Sequence, residues 1–228
     1  MQLEDDSPGS LKDPEAIELR RKLRFAPHVA PLTAFAASLR TRPNVKVPDF
    51  DPLDGGVNAK ILFLFEKPGP MTDALREGQR GSGFVSRNNN DPTAKATLHF
   101  MKVAAIPRRD TLIWNVIPWW DGHIKFSAPD LEAALPELDR LLSLLPQLRS
   151  VVFVGRTAAK ASPHLRSQEA MRLRLYESAH PSPKVKHMHR ERWCAIPGIW
   201  RDAGASLGTS PCRADIEAPP EAGKLTPP

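Results

Sequence analysis

The chain has 228 residues, including 24 prolines and 2 cysteines, and its formal net charge is +6 at neutral pH. No apolar run approaches the ~20 residues that a membrane-spanning helix requires, and Cys194 and Cys212 cannot supply a four-cysteine iron–sulfur or zinc site. We therefore expect a soluble, cytoplasmic monomer with one main core, no metal and no cofactor.

Two helices are predicted ahead of the first strand. Asp13-Pro14-Glu15 combines an N-cap, a first-turn proline and an acid, and indicates a helix that runs to about Arg24. Apolar residues recur at helical spacing between Ala30 and Arg40 and predict a second helix. Residues 42–59 are rich in turn signals. We assign residues 1–57 to an N-terminal helical extension with a crossing loop.

Four strands are predicted at residues 61–65, 111–117, 150–155 and 172–177. The first is large and apolar without alternation, which is typical of a strand covered on both faces, whereas alternation in the last favours an edge position. Helices are predicted between them at 91–106, at 130–145 with a kink or a division at Pro136, and from a Thr157 cap to about His164.

This order of strands and helices predicts an α/β class, a three-layer α/β/α fold with a central, mainly parallel four-stranded sheet. We assign it to residues 58–203. From Gly204 the chain consists largely of small residues and prolines, so residues 204–228 are expected to be a disordered tail.

Polar residues and turn signals follow the predicted strands. Glu66-Lys67-Pro68-Gly69-Pro70 follows the first strand, Asn115 lies in the second, and His180-Pro181-Ser182-Pro183 follows the fourth. Ligands of parallel sheets gather at the carboxyl ends of the strands, and Gly69 lets main-chain N–H groups approach a ligand. Each motif alone is also compatible with an ordinary strand exit or a rigid surface turn.

Together these motifs resemble the uracil-DNA glycosylase superfamily over roughly residues 58–200. Phe65-Glu66-Lys67-Pro68-Gly69 is similar to its first motif, and His180-Pro-Ser-Pro183 is similar to its last. The resemblance also implies that Phe84 stacks on the extruded base and that Asn115 reads the edge of the base.

The chain departs from the family pattern in several places, and one of them is Phe65, which replaces the usual opening glycine of the first motif. The branch with a Gly-Glu-Ala-Pro-Gly motif holds an iron–sulfur cluster through four cysteines, so this chain resembles a branch without the cluster. Lys67 stands where other branches have the Asp or Asn that positions water, and the water-activating group is therefore open. Lys67 could bind phosphate instead.

The resemblance implies that the protein excises uracil from single- or double-stranded DNA as a monofunctional glycosylase. His180 would donate to uracil O2 as negative charge develops there. Glu66, or in second place Asp91, would orient water or stabilise the positive sugar, although either could instead be a structural acid.

A basic segment accounts for the whole net charge, with nine basic and three acidic residues between Arg156 and Arg192. The end of this segment follows the last motif, so Lys184, Lys186, Arg190 and Arg192 are predicted to contact DNA phosphates. Ser182 and Pro183 are predicted to contact DNA through the proline loop, which would press into the minor groove. Two alternatives stay open at this point. One is a DNA-binding protein of the same fold with weakened catalysis, and the other is an unrelated α/β hydrolase.

Overall fold

The computed structural model describes residues 7–73, 81–123, 125, 127–167 and 172–205. Its strands are β1 (Asp49–Phe50), β2 (Ile61–Phe65), β3 (Phe84–Val85), β4 (Thr111–Asn115), β5 (Ser150–Val154) and β6 (Arg174–Ser178). Its α-helices are α1 (Pro14–Leu23), α2 (Ala30–Leu39), α3 (Pro92–Val103), α4 (Ala128–Ser143), α5 (Ser162–Arg166), α6 (Pro183–Met188) and α7 (Arg190–Ala205). No helix in these ranges is long and apolar enough to cross a membrane.

The central sheet has the strand order β4-β2-β5-β6, and all of its strands are parallel. The predicted class and four-stranded sheet are therefore confirmed, and β6 lies at the edge that its alternation predicts. A second parallel pair, β1 with β3, was not expected from the sequence. Each of these two strands is only two residues long, too short for a periodic pattern.

Helices cover both faces of the central sheet. Successive strand residues point to opposite faces, and Phe63 of β2 contacts Trp200 of α7 edge to face. Trp114 of β4 is in register with Leu64, the next residue of β2, and stacks on Phe50 while also contacting Phe35 of α2. Since α7 and α2 lie on opposite faces, the predicted three-layer architecture is confirmed.

Some predicted helix details are wrong. Helix α4 continues through Pro136 and is not divided there. An interior proline costs about 3 kcal/mol, and the buried stripe of Ala134, Leu138, Leu141 and Leu142 offsets this cost by packing on the core. Thr157 occupies an N-cap position, but its side chain makes no capping hydrogen bond. Gly204 and Ala205 still belong to α7, and the remainder of the predicted tail lies outside the described residues.

A buried ionic network joins the N-terminal segment to the loop that follows β3. Asp51 accepts hydrogen bonds from Arg20 (3.2 Å), Arg108 (2.7 Å) and the Ser86 hydroxyl. Asp54 forms ion pairs with Arg108 at 3.0 Å and with Arg87 at 3.2 Å. Burial alone would raise the pKa of Asp51, but Arg108 and Arg20 hold it below its usual range.

The N-terminal helices belong to the same packed body as the sheet. Leu32, Phe35, Ala36 and Leu39 of α2 are part of the main apolar core, and Arg20 of α1 is 1% exposed within the ionic network. The division of the chain at residue 57 stays a prediction. The contacts of the ionic network indicate that the N-terminal segment stabilises the loop after β3.

Replacing Asp51 by Ala should lower the free energy of unfolding by about 3–5 kcal/mol, because Arg20 and Arg108 would remain buried without their shared partner. Glu18→Ala is the matched control, since its ion pair with Arg21 is half exposed and should contribute less than about 1 kcal/mol. Urea denaturation of the two variants measures both values. Equal losses of stability would contradict the role given to the network.

Candidate active site

A cleft of about 1050 Å³ lies at the carboxyl ends of the four central strands. Its wall includes residues that directly follow β2, β5 and β6, together with the last residue of β4 and the loop before α3. The predicted site residues that line it are Glu66, Lys67, Gly69, Asp91, Asn115, His180, Ser182 and Lys184. The structure thus brings together residues that are up to 118 positions apart in the sequence.

Asn115 presents an unused hydrogen-bond donor at this cleft. It is the last residue of β4, it is 4% exposed, and it lies opposite Phe65 in the β2–β4 register. Its Nδ2 atom is buried without a hydrogen-bond partner among the described residues. A buried unpaired amide costs about 1–3 kcal/mol, so an acceptor on a bound ligand would relieve this cost.

The backbone around His180 is held by contacts from three elements. Trp200 of α7 donates to the hydroxyl of Ser178, the last residue of β6, at 3.0 Å. Gly155, which follows β5, has a φ of 98°, and a Cβ there would lie 3.1 Å from the His180 Cβ. Ser182 N–H donates to the His180 carbonyl at 2.8 Å. Only glycine fits position 155 without strain.

The His180 imidazole is uncharged at neutral pH. Burial lowers the pKa of His180 to about 4, because a low-dielectric surrounding disfavours the charged form. The ring packs edge to face on Phe65 with centroids 5.6 Å apart. A neutral imidazole offers one N–H donor and one nitrogen acceptor, so His180 can donate a hydrogen bond in the cleft.

The two candidate acids differ in their contacts. The Glu66 carboxylate makes no hydrogen bond or ion pair with the described residues, while its backbone carbonyl accepts from Ile117 N–H at 2.9 Å beside the end of β4. Asp91 is the N-cap of α3 and accepts from Ala94 N–H at 2.9 Å. Burial raises the pKa of Asp91. Glu66 is therefore the acid that is free to interact with a ligand.

Lys67 lines the cleft but is already paired. Its ammonium donates to Asp121 at 2.6 Å, and its side chain is 2% exposed. Burial alone would raise the pKa of Asp121, but hydrogen bonds from Lys67 and from His123 N–H hold it below its usual range. The expectation of a lysine that is free to bind phosphate therefore does not fit these contacts.

The predicted placement of Phe84 is wrong. Its ring is 1% exposed, belongs to a small cluster with Leu11 and Ile17, and does not line the cleft. Val85, the next residue of β3, lines it instead, because neighbouring strand residues face opposite ways. The aromatic side chain that does line the cleft is Phe65.

Gly69 lies in an open part of the cleft wall. A Cβ at this position would meet no atom of the described residues within 4 Å, and its φ of −95° is available to any residue. The Gly69 carbonyl accepts from both the N–H and the hydroxyl of Thr72. The glycine therefore leaves space for a ligand and is not required by the backbone.

Among the described residues, three exposed lysine and arginine side chains line the cleft. Lys184 of α6, Arg192 of α7 and Arg156 after β5 line it and are exposed. Among the other predicted DNA contacts, Ser182 caps α6 through Val185 N–H at 3.4 Å, and Pro183 is the first residue of that helix. Lys186 lies 5.8 Å from the Trp193 ring, and neither it nor Pro183 nor Arg190 lines the cleft.

Arg87 and Gly155 also line the cleft, and no role was assigned to them from the sequence. Arg87 is 2% exposed and binds Asp54, and its Nε atom has no partner among the described residues. Gly155 packs on His180 as described above. No local signal marks Arg87, since its role comes from contacts with Asp54 and Thr111 that are distant in sequence. In the sequence, Gly155 could be recognised only as the last residue of a predicted strand.

Comparison with solved structures finds 45 matching chains, which include two proteins of low sequence identity. A Methanosarcina acetivorans protein, provisionally described as a uracil DNA glycosylase, is 19% identical with a TM-score of 0.37, covering 64% of this chain and 91% of that chain. Pedobacter heparinus SMUG2 is 11% identical with a TM-score of 0.48, covering 77% and 99% respectively. Similarity at this level says nothing about the substrate of this chain.

Comparison with curated proteins gives no significant match. In contrast, the family model described as the Uracil DNA glycosylase superfamily matches residues 52–203, more than half of the chain. The matched range includes the cleft residues from Glu66 to Lys184. It confirms the resemblance that the motifs after β2 and β6 indicate and excludes an unrelated hydrolase. The chain belongs to the uracil DNA glycosylase superfamily.

Proposed function

We propose that the protein is a monofunctional DNA glycosylase that removes uracil from DNA by hydrolysis of the N-glycosidic bond. The observation that carries this proposal is that one cleft is lined both by the unsatisfied Asn115 amide and by the uncharged His180 imidazole. A base inside a duplex is out of reach, so the enzyme would extrude it at a cost of a few kcal/mol.

Asn115 would select uracil through the edge of the base. Its Nδ2 would donate to O4, and its Oδ1 would accept from N3–H, so one amide satisfies both groups. Cytosine carries an amino group in place of O4, so its amino group and the Asn115 Nδ2 would be two facing donors without an acceptor between them. The buried Nδ2 atom supports this role, because it has no alternative acceptor among the described side chains and backbone groups.

His180 would stabilise the departing base. As the N-glycosidic bond breaks, negative charge develops on uracil O2, and a preorganised N–H donor there stabilises the transition state more than the bound substrate. The contacts with Gly155 and Phe65 fix the ring without occupying its donor. A neutral donor also leaves the charge of the cleft unchanged when the substrate binds.

Glu66 would orient the attacking water or stabilise the cationic sugar. Its carboxylate is uncommitted, whereas Asp91 is used as a helix cap. Lys67 would not act as a nucleophile, since an ammonium that is ion-paired with Asp121 at 2.6 Å has no lone pair available for attack. The products would then be free uracil and an abasic site, with no covalent enzyme–DNA intermediate.

The direct test is incubation of the protein with oligonucleotides that contain a single uracil, cytosine or thymine, followed by alkaline cleavage of abasic sites. Uracil-containing strands should be cleaved, in single- or double-stranded form, and the other strands should not. Borohydride should trap no covalent complex. Binding without excision under every condition would favour a DNA-binding protein of the same fold.

His180 should remain neutral from about pH 5 upward, because burial lowers its pKa to about 4. Since the unfolded chain takes up the proton near pH 6.5, this residue's contribution to stability is complete above pH 6.5 and is lost as the pH falls toward 4. NMR titration of ¹³C-labelled histidine, with the signal assigned through His180→Asn, measures the pKa. A midpoint near 6.5 would contradict the neutral-donor role.

Glu66→Gln should lower the single-turnover excision rate by about 10²-fold or more, because the amide cannot activate water as a carboxylate does. Asp91→Asn is the matched control, since asparagine keeps a side-chain oxygen for the cap and should leave the rate within a few-fold. Thermal melting checks that both variants are folded. A larger loss in Asp91→Asn than in Glu66→Gln would reverse the two roles.

Lys184→Ala should reduce the slope of log affinity against log salt by about 0.7 for a single strand or about 0.9 for a duplex, the value of one phosphate contact. Fluorescence anisotropy at several salt concentrations gives the slope. Arg149→Ala is the control, because Arg149 is exposed just before the start of β5, and the cleft lies at the other ends of the strands. An unchanged slope in Lys184→Ala would show that this lysine only solvates the surface.

A further inference from the structure

A second cavity, of about 360 Å³, lies between the N-terminal helices and the segment that follows Gly69. Thr72 lines both this cavity and the cleft. Trp120, which lies five residues beyond the end of β4, also lines it and pairs with Lys46 through two backbone hydrogen bonds. The second cavity is therefore adjacent to the cleft across one short segment, but it shares none of the residues assigned to base excision.

The charges that line this cavity are unbalanced. Its cations are Arg21, Arg24, Arg40 and Lys46, and its anions are Asp49 and Asp73. Asp49 is shared between Arg24 and Arg40, and Asp73 pairs with Lys46 at 2.7 Å. Arg21 has only a half-exposed pair with Glu18 at 3.5 Å. Among the described lining side chains the cations therefore exceed the anions by two, and Glu18 offsets part of this excess at Arg21.

Arg24 is a lining cation whose guanidinium has unused hydrogen-bonding capacity. Its contact with Asp49 is long, at 3.6 Å, and its Nε atom is buried without a hydrogen-bond partner among the described residues. Arg24 lines the cavity and is partly exposed, and a guanidinium with few committed N–H groups among an excess of cations is suited to a phosphate oxygen. This donor is not used in the folding contacts described above.

An exposed aromatic ring lies next to this cation. Phe25 is 65% exposed, and the Arg24 guanidinium lies 4.8 Å from its ring centroid. It is the most exposed of the large apolar side chains in the described part of the chain. A ring in solvent beside a cationic cavity has the two features by which proteins bind single-stranded nucleic acid, stacking on a base and contact with its backbone.

We propose that this N-terminal cavity is a second nucleic-acid subsite. It holds a phosphate of the strand that flanks the extruded nucleotide, with Arg24 as the main ligand and with Phe25 stacking on an unpaired base. The subsite rests on the proposed function for its strand, and it gives the N-terminal helices a role in binding the substrate. It also predicts a single-strand footprint that extends beyond the cleft on one side only.

The test uses single-stranded oligonucleotides with one central uracil, shortened one nucleotide at a time from either end. Wild-type affinity should fall when flanking nucleotides are removed from one particular end. Phe25→Leu and Arg24→Gln should each weaken binding of the full-length strand at least about fivefold. Both should match the wild type on the strand shortened at that end. Arg24→Gln should also lower the salt slope by about 0.7.

Controls separate the subsite from a loss of folding and from the excision reaction. Phe25→Trp should retain affinity because it keeps a stacking ring, and Arg149→Gln should change nothing. The exposed Phe25 side chain can be replaced without removing core contacts, and thermal melting checks Arg24→Gln. The maximal single-turnover excision rate should be unchanged in both subsite variants, since neither residue lines the cleft.

Three outcomes would overturn the subsite. One is wild-type affinity and salt slope in both variants on every strand, and another is no wild-type binding to single strands. The third has two parts: inorganic phosphate at matched ionic strength abolishes the difference in affinity between Arg24→Gln and the wild type, and this difference does not depend on strand length. That result would indicate a site for free phosphate. Binding that depends on Arg24 and Phe25 without any uracil excision would refute the proposed function and leave the subsite supported.

Discussion

The structure depends first on the ion pairs that Asp51 and Asp54 form with three buried arginines. This network ties the segment before β2 to the loop between β3 and α3, and that loop supplies one wall of the cleft. Burying five charged groups is costly unless each has partners, so the arrangement is stable only when helix α1, the loop and Arg108 are all in place. The N-terminal segment is thereby coupled to the shape of the candidate active site, although none of its residues from 7 onward lines the cleft.

The parallel sheet supplies the second constraint. Because β2, β4, β5 and β6 run in the same direction, their carboxyl ends meet at one edge, and ligand-binding residues of such sheets collect there. The geometry then assigns different surroundings to the site residues. Asn115 is fixed in a strand with its donor unsatisfied, His180 is held neutral between Phe65 and Gly155, and Glu66 keeps a free carboxylate. These differences support the proposed hydrolysis, in which the leaving group is an anion.

Much of this arrangement was accessible from the sequence, and the failures have identifiable causes. Dense apolar runs marked the first three strands and alternation marked the fourth, and the residues at or after their ends marked Glu66, Asn115 and His180. Phe84 was misplaced because a two-residue strand has no pattern to show which of two neighbours faces the ligand, and Val85 takes that side. The pairing of Lys67 with Asp121 and that of Arg87 with Asp54 join distant segments, and neither leaves a signal in local residue order.

The central claim is that His180 stabilises the uracil anion as it leaves. The most direct measurement is the single-turnover excision rate of His180→Asn on a uracil-containing oligonucleotide, together with its affinity for the same DNA. Loss of the positioned donor should lower the rate by about 10²–10³-fold and leave the affinity nearly intact, because the interaction strengthens mainly in the transition state. Wild-type excision kinetics in a folded His180→Asn protein would contradict the account.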